Sequence, residues 1–130
     1  MSSILMDIKT QLGYPEPYDA ENPAPFDNQI LMHINAQIAT LRQVGVGPKN
    51  GFRVTGSSQQ WSDLLTGEND EMNLLVPEFV FLKTKLVFDP PSNSFTCDAL
   101  QKQADEDIWR IRELAEGRIT PNAGSNNSSN

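Results

Sequence analysis

Two adjacent prolines, Pro90 and Pro91, cut short the most apolar stretch of the chain. The run NLLVPEFVFLKTKLVF ends on Asp89, which precedes a proline and is therefore driven out of the helical region. Pro90 and Pro91 fix their own φ angles, and Ser92 or Ser94 supplies a hydroxyl that starts a new helix. The outcome is a stiff corner between two helices instead of one continuous rod. Asp89, Pro90, Pro91 and Ser94 are its candidate determinants.

The helix before the corner is expected from about residue 73 to 88. Leu75, Phe79, Leu82 and Leu86 form one stripe. Val76, Val80 and Val87 flank it on one side, Leu74, Phe81 and Phe88 on the other. A helix apolar nearly all round is a central one. Pro77 is expected in its first turn, where a missing N–H costs nothing. Lys83 and Lys85 must reach from it to solvent or to carboxylates. The helix after the corner is expected from near Ser94 to just before Gly117. Cys97, Leu100, Ala104, Ile108, Ile111 and Ala115 repeat there at 3–4 spacing. Asp98 with Lys102, and Glu106 with Arg110, are oriented for i,i+4 pairing.

Three further helices precede these. Ser2 or Ser3 caps a first helix with Ile4, Leu5, Ile8 and Leu12 on one face, and Gly13 ends it. YPEPYDAENPAPF follows and cannot be helical, so residues 13–26 form a proline-rich arm lying along the surface. Asp27 is expected to cap a second helix, 28–43, with Ile30, Leu31, Ile34, Ile38 and Leu41 inward. Met32, Ala36 and Ala39 fall on its other side. Either they let another helix approach closely, or they reflect only the tolerance of helices for alanine. Four glycines and a proline make 44–57 a loop, with a short extended piece at 52–54. Ser57 or Ser58 caps a short third helix that turns Trp61, Leu64 and Leu65 inward, and Gly67 ends it.

The fold class is thus all-α: a small bundle of about five helices with long loops, a short extended piece near 52–54 and an extended C-terminal tail. With 130 residues, one domain suffices. Residues 1–117 form it, and the polar tail 118–130 has a composition that orders only on a partner.

The formal net charge of −7 disfavours phosphate-led nucleic-acid binding and attachment to an anionic membrane. Cys97 is the one cysteine and His33 the one histidine, so neither an internal disulfide nor the usual zinc spacings can be built. The N-terminus is unlike a secretory signal, and no apolar run reaches a membrane span, which points to a cytoplasmic product. Nothing assembles a Ser-His-Asp set around His33, and GVGP lacks the Lys-Ser/Thr of a phosphate loop. Asp63, Glu68, Asp70 and Glu71 are close in sequence but do not follow the calcium-loop spacing. The carboxylates of ADEDIWRIRE are the ordinary dress of a solvated helix face. No catalytic role and no cofactor or metal is expected. Trp109 points away from the stripe of the last helix, among charges. Either it anchors an interface, or the first or second helix covers it.

Taken in order, these segments resemble one family. KTKLVFDPPSNSFTCDALQKQADEDIWRI is similar to a segment of the head–tail connector (head-completion adaptor) proteins of tailed bacteriophages. It matches at Lys83, Lys85, Leu86, Phe88, Asp89, Pro90, Pro91, Ser94, Phe95, Asp107 or Ile108, Trp109 and Arg110. Upstream, Phe26, Asp27, Ile30, Asn35, Leu41, Gln43, Gly45, Val46, Gly47, Pro48, Gly51, Phe52 and Trp61 resemble the family's first half. Pro77, the Asp-Ile before Trp109 and the long proline arm depart from the pattern.

The resemblance implies a structural virion protein at the head–tail junction, made in the host cytoplasm. It would form a ring of about twelve copies below the portal and extend the DNA channel. Arg118, Ile119, Thr120, Pro121 and Asn122 would then dock on the portal. Gly47, Pro48, Lys49 and Phe52 would meet a neighbouring subunit or a tail-side stopper or tail protein. Trp109, Met32, Ala36 and Ala39 are the candidate subunit interface. Double-stranded DNA would pass without specific binding, since carboxylates offer phosphate no hold. The alternatives are a DNA-packaging recognition subunit, which would need a basic helix-turn-helix, and an acidic helical module for a basic partner.

Overall fold

The computed structural model describes residues 2–119, with Arg118 and Ile119 described by their backbone alone. Five helices follow in chain order: α1 (Ile4–Leu12), α2 (Asp27–Gln43), α3 (Trp61–Leu64), α4 (Asp70–Phe88) and α5 (Ser94–Ile119). Among the described residues there is no strand, only an isolated antiparallel bridge between Ser3 and Gln60. The fold is all-α.

Local chemistry sets most helix ends. Ser3 caps α1 by accepting the Met6 N–H, and Gly13 ends it at φ +98°, a left-handed conformation that suits a residue without Cβ. Asn69 caps α4 by accepting the Met72 N–H, with Asp70 and Glu71 following at the positive end of the helix dipole. That cap moves the start of α4 three residues upstream of the expected 73. Pro77 therefore lies inside the helix, not in its first turn. Proline there leaves the Asn73 carbonyl without its usual donor. Buried Val76, Phe79 and Val80 around it hold the helix in place through packing.

Asp27 is not the cap of α2 but its first residue, and Phe26 occupies the cap position without a side-chain hydrogen bond. The Asp27 carboxylate is engaged elsewhere. Its Oδ1 meets Lys9 Nζ at 2.7 Å, with both side chains buried. Its Oδ2 accepts the Ala24 N–H at 3.0 Å. Lys9 also donates to the Glu16 carbonyl at 2.7 Å. One buried ion pair thus ties α1 to α2 and pins both ends of the proline-rich arm. A buried pair is costly to desolvate, and the two extra hydrogen bonds offset that cost. Between those pins Tyr18 lies against Gly56, where an added Cβ would stand 2.9 Å from the ring.

The third helix starts two residues later than Ser58 would place it. Gln60 is its cap, closing a reciprocal box with Asp63. Its first residue, Trp61, is buried and donates its indole N–H to Asp7 Oδ2 at 2.8 Å. Two backbone bonds, Ile4 N–H to Gln59 and Trp61 N–H to Ser2, staple this turn to the start of α1.

The core runs through all five helices. α4 is its centre, packed most extensively against α5 and next against α2, while α1 closes on α2 and α4. α4 is not buried all round, however: Leu74 and Val87 are exposed. Of the expected α5 stripe, Ala104, Ile111 and Ala115 are buried, while Cys97, Leu100 and Ile108 are half-buried. α5 also runs past Gly117 to Ile119, since one glycine weakens a helix by only ~1 kcal/mol.

Candidate functional site

The corner after α4 is built as a braced elbow. α4 stops at Phe88 and α5 begins at Ser94. Asp89 leaves the helix at φ −146°, and its carboxylate turns back to Lys85 Nζ at 3.2 Å. The Cys97 thiol donates to the Pro91 carbonyl at 3.1 Å, tying the first turn of α5 to the prolines. The residue that caps α5 is Asn93, whose Oδ1 accepts the Thr96 N–H; Ser94 is the first helical residue and is exposed. Asn caps a helix as well as the serines on either side of it, and here its position in the chain decides. Phe88 at the corner also closes a triangle of edge-on rings with Tyr14 and Phe26, centroids 5.6–5.9 Å apart, and has His33 beside it at 6.3 Å. The elbow is thereby anchored to the arm and to α2.

The long helix this elbow aims carries uncovered aromatics. Trp109 is 59% exposed and Phe95 81% exposed, so neither α1 nor α2 shields the indole. The expected ion pairs of Asp98 with Lys102 and Glu106 with Arg110 are not closed. Pairs that do close within 4 Å include Lys9 with Asp27 and Lys85 with Asp89. An exposed pair contributes so little, ~0.3–0.5 kcal/mol on a helix, that side-chain freedom wins.

Met32, Ala36 and Ala39 are likewise exposed, on the outer side of α2. Beside them runs the segment expected as a short extended piece. It is extended chain without a strand partner, and an amide takes the partner's place. Asn35 Oδ1 accepts the Val54 N–H at 2.8 Å, and Asn35 Nδ2 donates to the Val54 carbonyl at 2.9 Å. Val54 is buried by this clamp, and Phe52 is half-buried next to it. Grooves open along the seam between α2 and this segment, one of them lined by Ala39, Arg42, Phe52 and Arg53. In the preceding loop, Gly47 and Gly51 take φ of +105° and +96°, Pro48 and Lys49 are exposed, and Arg42 holds the Lys49 carbonyl at 3.0 Å. Of the residues assigned to the tail, Thr120, Pro121 and Asn122 lie outside the described residues. Arg118 and Ile119 continue the backbone of α5.

Sequence reasoning missed one buried acid. Asp107 is fully buried on the α4-facing side of α5. Gln103 donates to its Oδ1 at 2.9 Å, while its Oδ2 has no donor facing it. Burial pushes its pKa from 3.8 up to about 7, with Glu78 of α4 adding to the rise and Gln103 and Arg110 opposing it. The Glu78 carboxyl becomes a hydrogen-bond partner only when one of the two acids carries a proton. The signal was present in the sequence: Asp107 lies three residues from Ala104 and four from Ile111, so it shares their face. Among the described residues no three His, Cys, Asp or Glu side chains converge in a way that could hold a metal ion, and Asp63 serves its capping box instead. No helix among them is long and apolar enough to cross a membrane.

A protein-family model described as phage connector protein matches residues 4–118. The chain belongs to that family. The match runs from the first residue of α1 almost to the end of α5, so it takes in the elbow, the outer face of α5 and the Asn35 clamp of this phage connector protein. The family is a structural one, which makes the chain a structural phage protein and a component of the virion. No curated protein and no solved structure matches the chain.

Proposed function

We propose that this connector protein is the adaptor that assembles as a ring below the portal, extends the DNA channel and joins the head to the tail. The observation that carries the reading is the outer face of α5. A long helix, held at a fixed angle by the braced elbow, leaves two aromatic side chains, Phe95 and Trp109, uncovered along one line of its outer face. Exposed aromatics on a rigid element are the usual anchors of a protein interface. A ring is the closed form of a repeated contact between identical chains. Its partners on this reading are other copies of itself, the portal at the tail 118–130, and a tail-side stopper or tail protein near Pro48 and Lys49. The excess of acids over bases, 17 against 10, suits a passage in which DNA must slide.

The test is to mix the purified protein with tailless, DNA-filled heads and image the portal vertex. Rings seated at that vertex are the expected result. Failure to bind the heads, combined with tight binding to free DNA, would replace this reading with that of a packaging subunit. A basic lumen in the imaged ring would refute the sliding argument while leaving the adaptor in place.

A further inference from the structure

The acids are distributed unevenly along the chain. All 17 lie outside residues 28–62, a span that keeps Arg42, Lys49 and Arg53. The fold gathers that acid-free span into one face. α2 presents Met32, Ala36, Ala39 and Arg42 to solvent, and the segment clamped by Asn35 lays Phe52 and Arg53 alongside them. Grooves open along this seam on both sides of Arg53.

The outer face of α5 has the opposite character. Phe95, Lys102 and Trp109 follow one another at intervals of seven, which places them on a single line along the helix. Exposed Asp98, Asp105, Glu106, Glu113 and Glu116 flank that line and outnumber the neighbouring bases Lys102, Arg110 and Arg112. α5 packs chiefly on α4, and α2 packs on α4 as well, so the two faces belong to different flanks of one central helix.

We propose that these faces are mates in successive copies. The acidic, aromatic face of α5 in one copy docks onto the basic face of α2 and residues 51–55 in the next. Trp109 lies over the small Ala36 and Ala39, within reach of the Arg53 guanidinium. This rests on the connector reading and specifies the lateral contact of the ring. Charge complementarity selects a second copy as the occupant. Neither face can meet itself without opposing like charges, whereas each suits the other. Alanines let the indole approach closely, and an arginine over an indole adds a cation–π attraction. A contact between two different faces is head-to-tail, so it propagates from copy to copy and closes if the rotation permits.

The test uses the full chain. With Trp109 replaced by photoreactive p-benzoylphenylalanine, irradiation from micromolar to millimolar protein, and again on connector-free heads, should join position 109 to residues 28–55 of another copy. Trp109→Ala should weaken self-association about thirtyfold or more. Arg53→Glu and Trp109→Glu should each abolish assembly beyond the monomer. A one-to-one mixture of those two should restore a single heterodimer, because each retains the face the other has lost. Both positions are exposed, so unchanged melting temperatures are expected and serve as the folding control. The interface is overturned by cross-links confined to the same chain or to the portal. The absence of any cross-link between copies, in solution and on heads, overturns it equally. Loss of DNA retention in Arg53→Glu with self-association intact would also overturn it and assign the basic face to DNA. Binding to heads without this cross-link removes the interface and keeps the adaptor. The cross-link without head binding does the reverse.

Discussion

Replacing Asp107 with asparagine tests whether the seam between α4 and α5 holds a proton. Below pH 3.8 the carboxyl is protonated in both folded and unfolded chains, so it does not bias folding. Above 3.8 the unfolded chain gives up its proton, whereas the folded chain keeps it up to about pH 7. At this site the folded state then binds more protons than the unfolded one, so the contribution of Asp107 to stability falls as the pH rises through that window. At 1.36 kcal/mol per pKa unit the fall is ~4 kcal/mol between pH 4 and pH 8. The amide of Asp107→Asn reproduces the neutral acid. Its oxygen still accepts from Gln103, and its NH2 can donate to Glu78. The variant should match the parent within ~1 kcal/mol at pH 4 and exceed it by ~2–4 kcal/mol at pH 8. Urea unfolding followed by circular dichroism at several pH values measures the gap. A gap that stays constant with pH, or widens toward acid, refutes the reasoning. So does a carboxyl carbon of Asp107 that titrates near pH 4 by NMR.

Lys9→Met should cost ~3–5 kcal/mol, because it strands a buried carboxylate, and Lys9→Met with Asp27→Leu should recover at least half of that in the same unfolding assay. Asn35→Ala leaves both polar groups of Val54 without their partners. A loss of ~2–3 kcal/mol and faster hydrogen exchange at the Val54 amide are expected. Replacing Pro90 and Pro91 together with alanine should lower stability by only ~1–2 kcal/mol, through the unfolded chain's greater freedom. It should also broaden the distance distribution between spin labels on α4 and α5. An unchanged distribution would mean that the Lys85 and Cys97 bonds suffice to brace the elbow.

The sequence by itself determined the helices, the break between α4 and α5 and the family. Each is written locally: a proline forbids an N–H, a glycine permits a left-handed turn, and apolar residues at 3–4 spacing mark a buried stripe. Errors of placement were local too. Asn69 and Asn93 took capping roles not assigned to them, and Pro77 fell inside a helix because the cap lay further upstream. Only the tertiary structure decided which polar groups enter the core. Lys9 is buried because Asp27, Glu16 and Ala24 converge on one point, and the irregular proline-rich path between them follows no helical or strand period that would reveal the meeting. Asp107 faces Glu78 across a helix seam. Trp109 is exposed because α1 and α2 pack elsewhere, a fact its own helix could not state. Helical periodicity fixes the direction of a side chain relative to its own axis. What stands in that direction depends on the position of every other element.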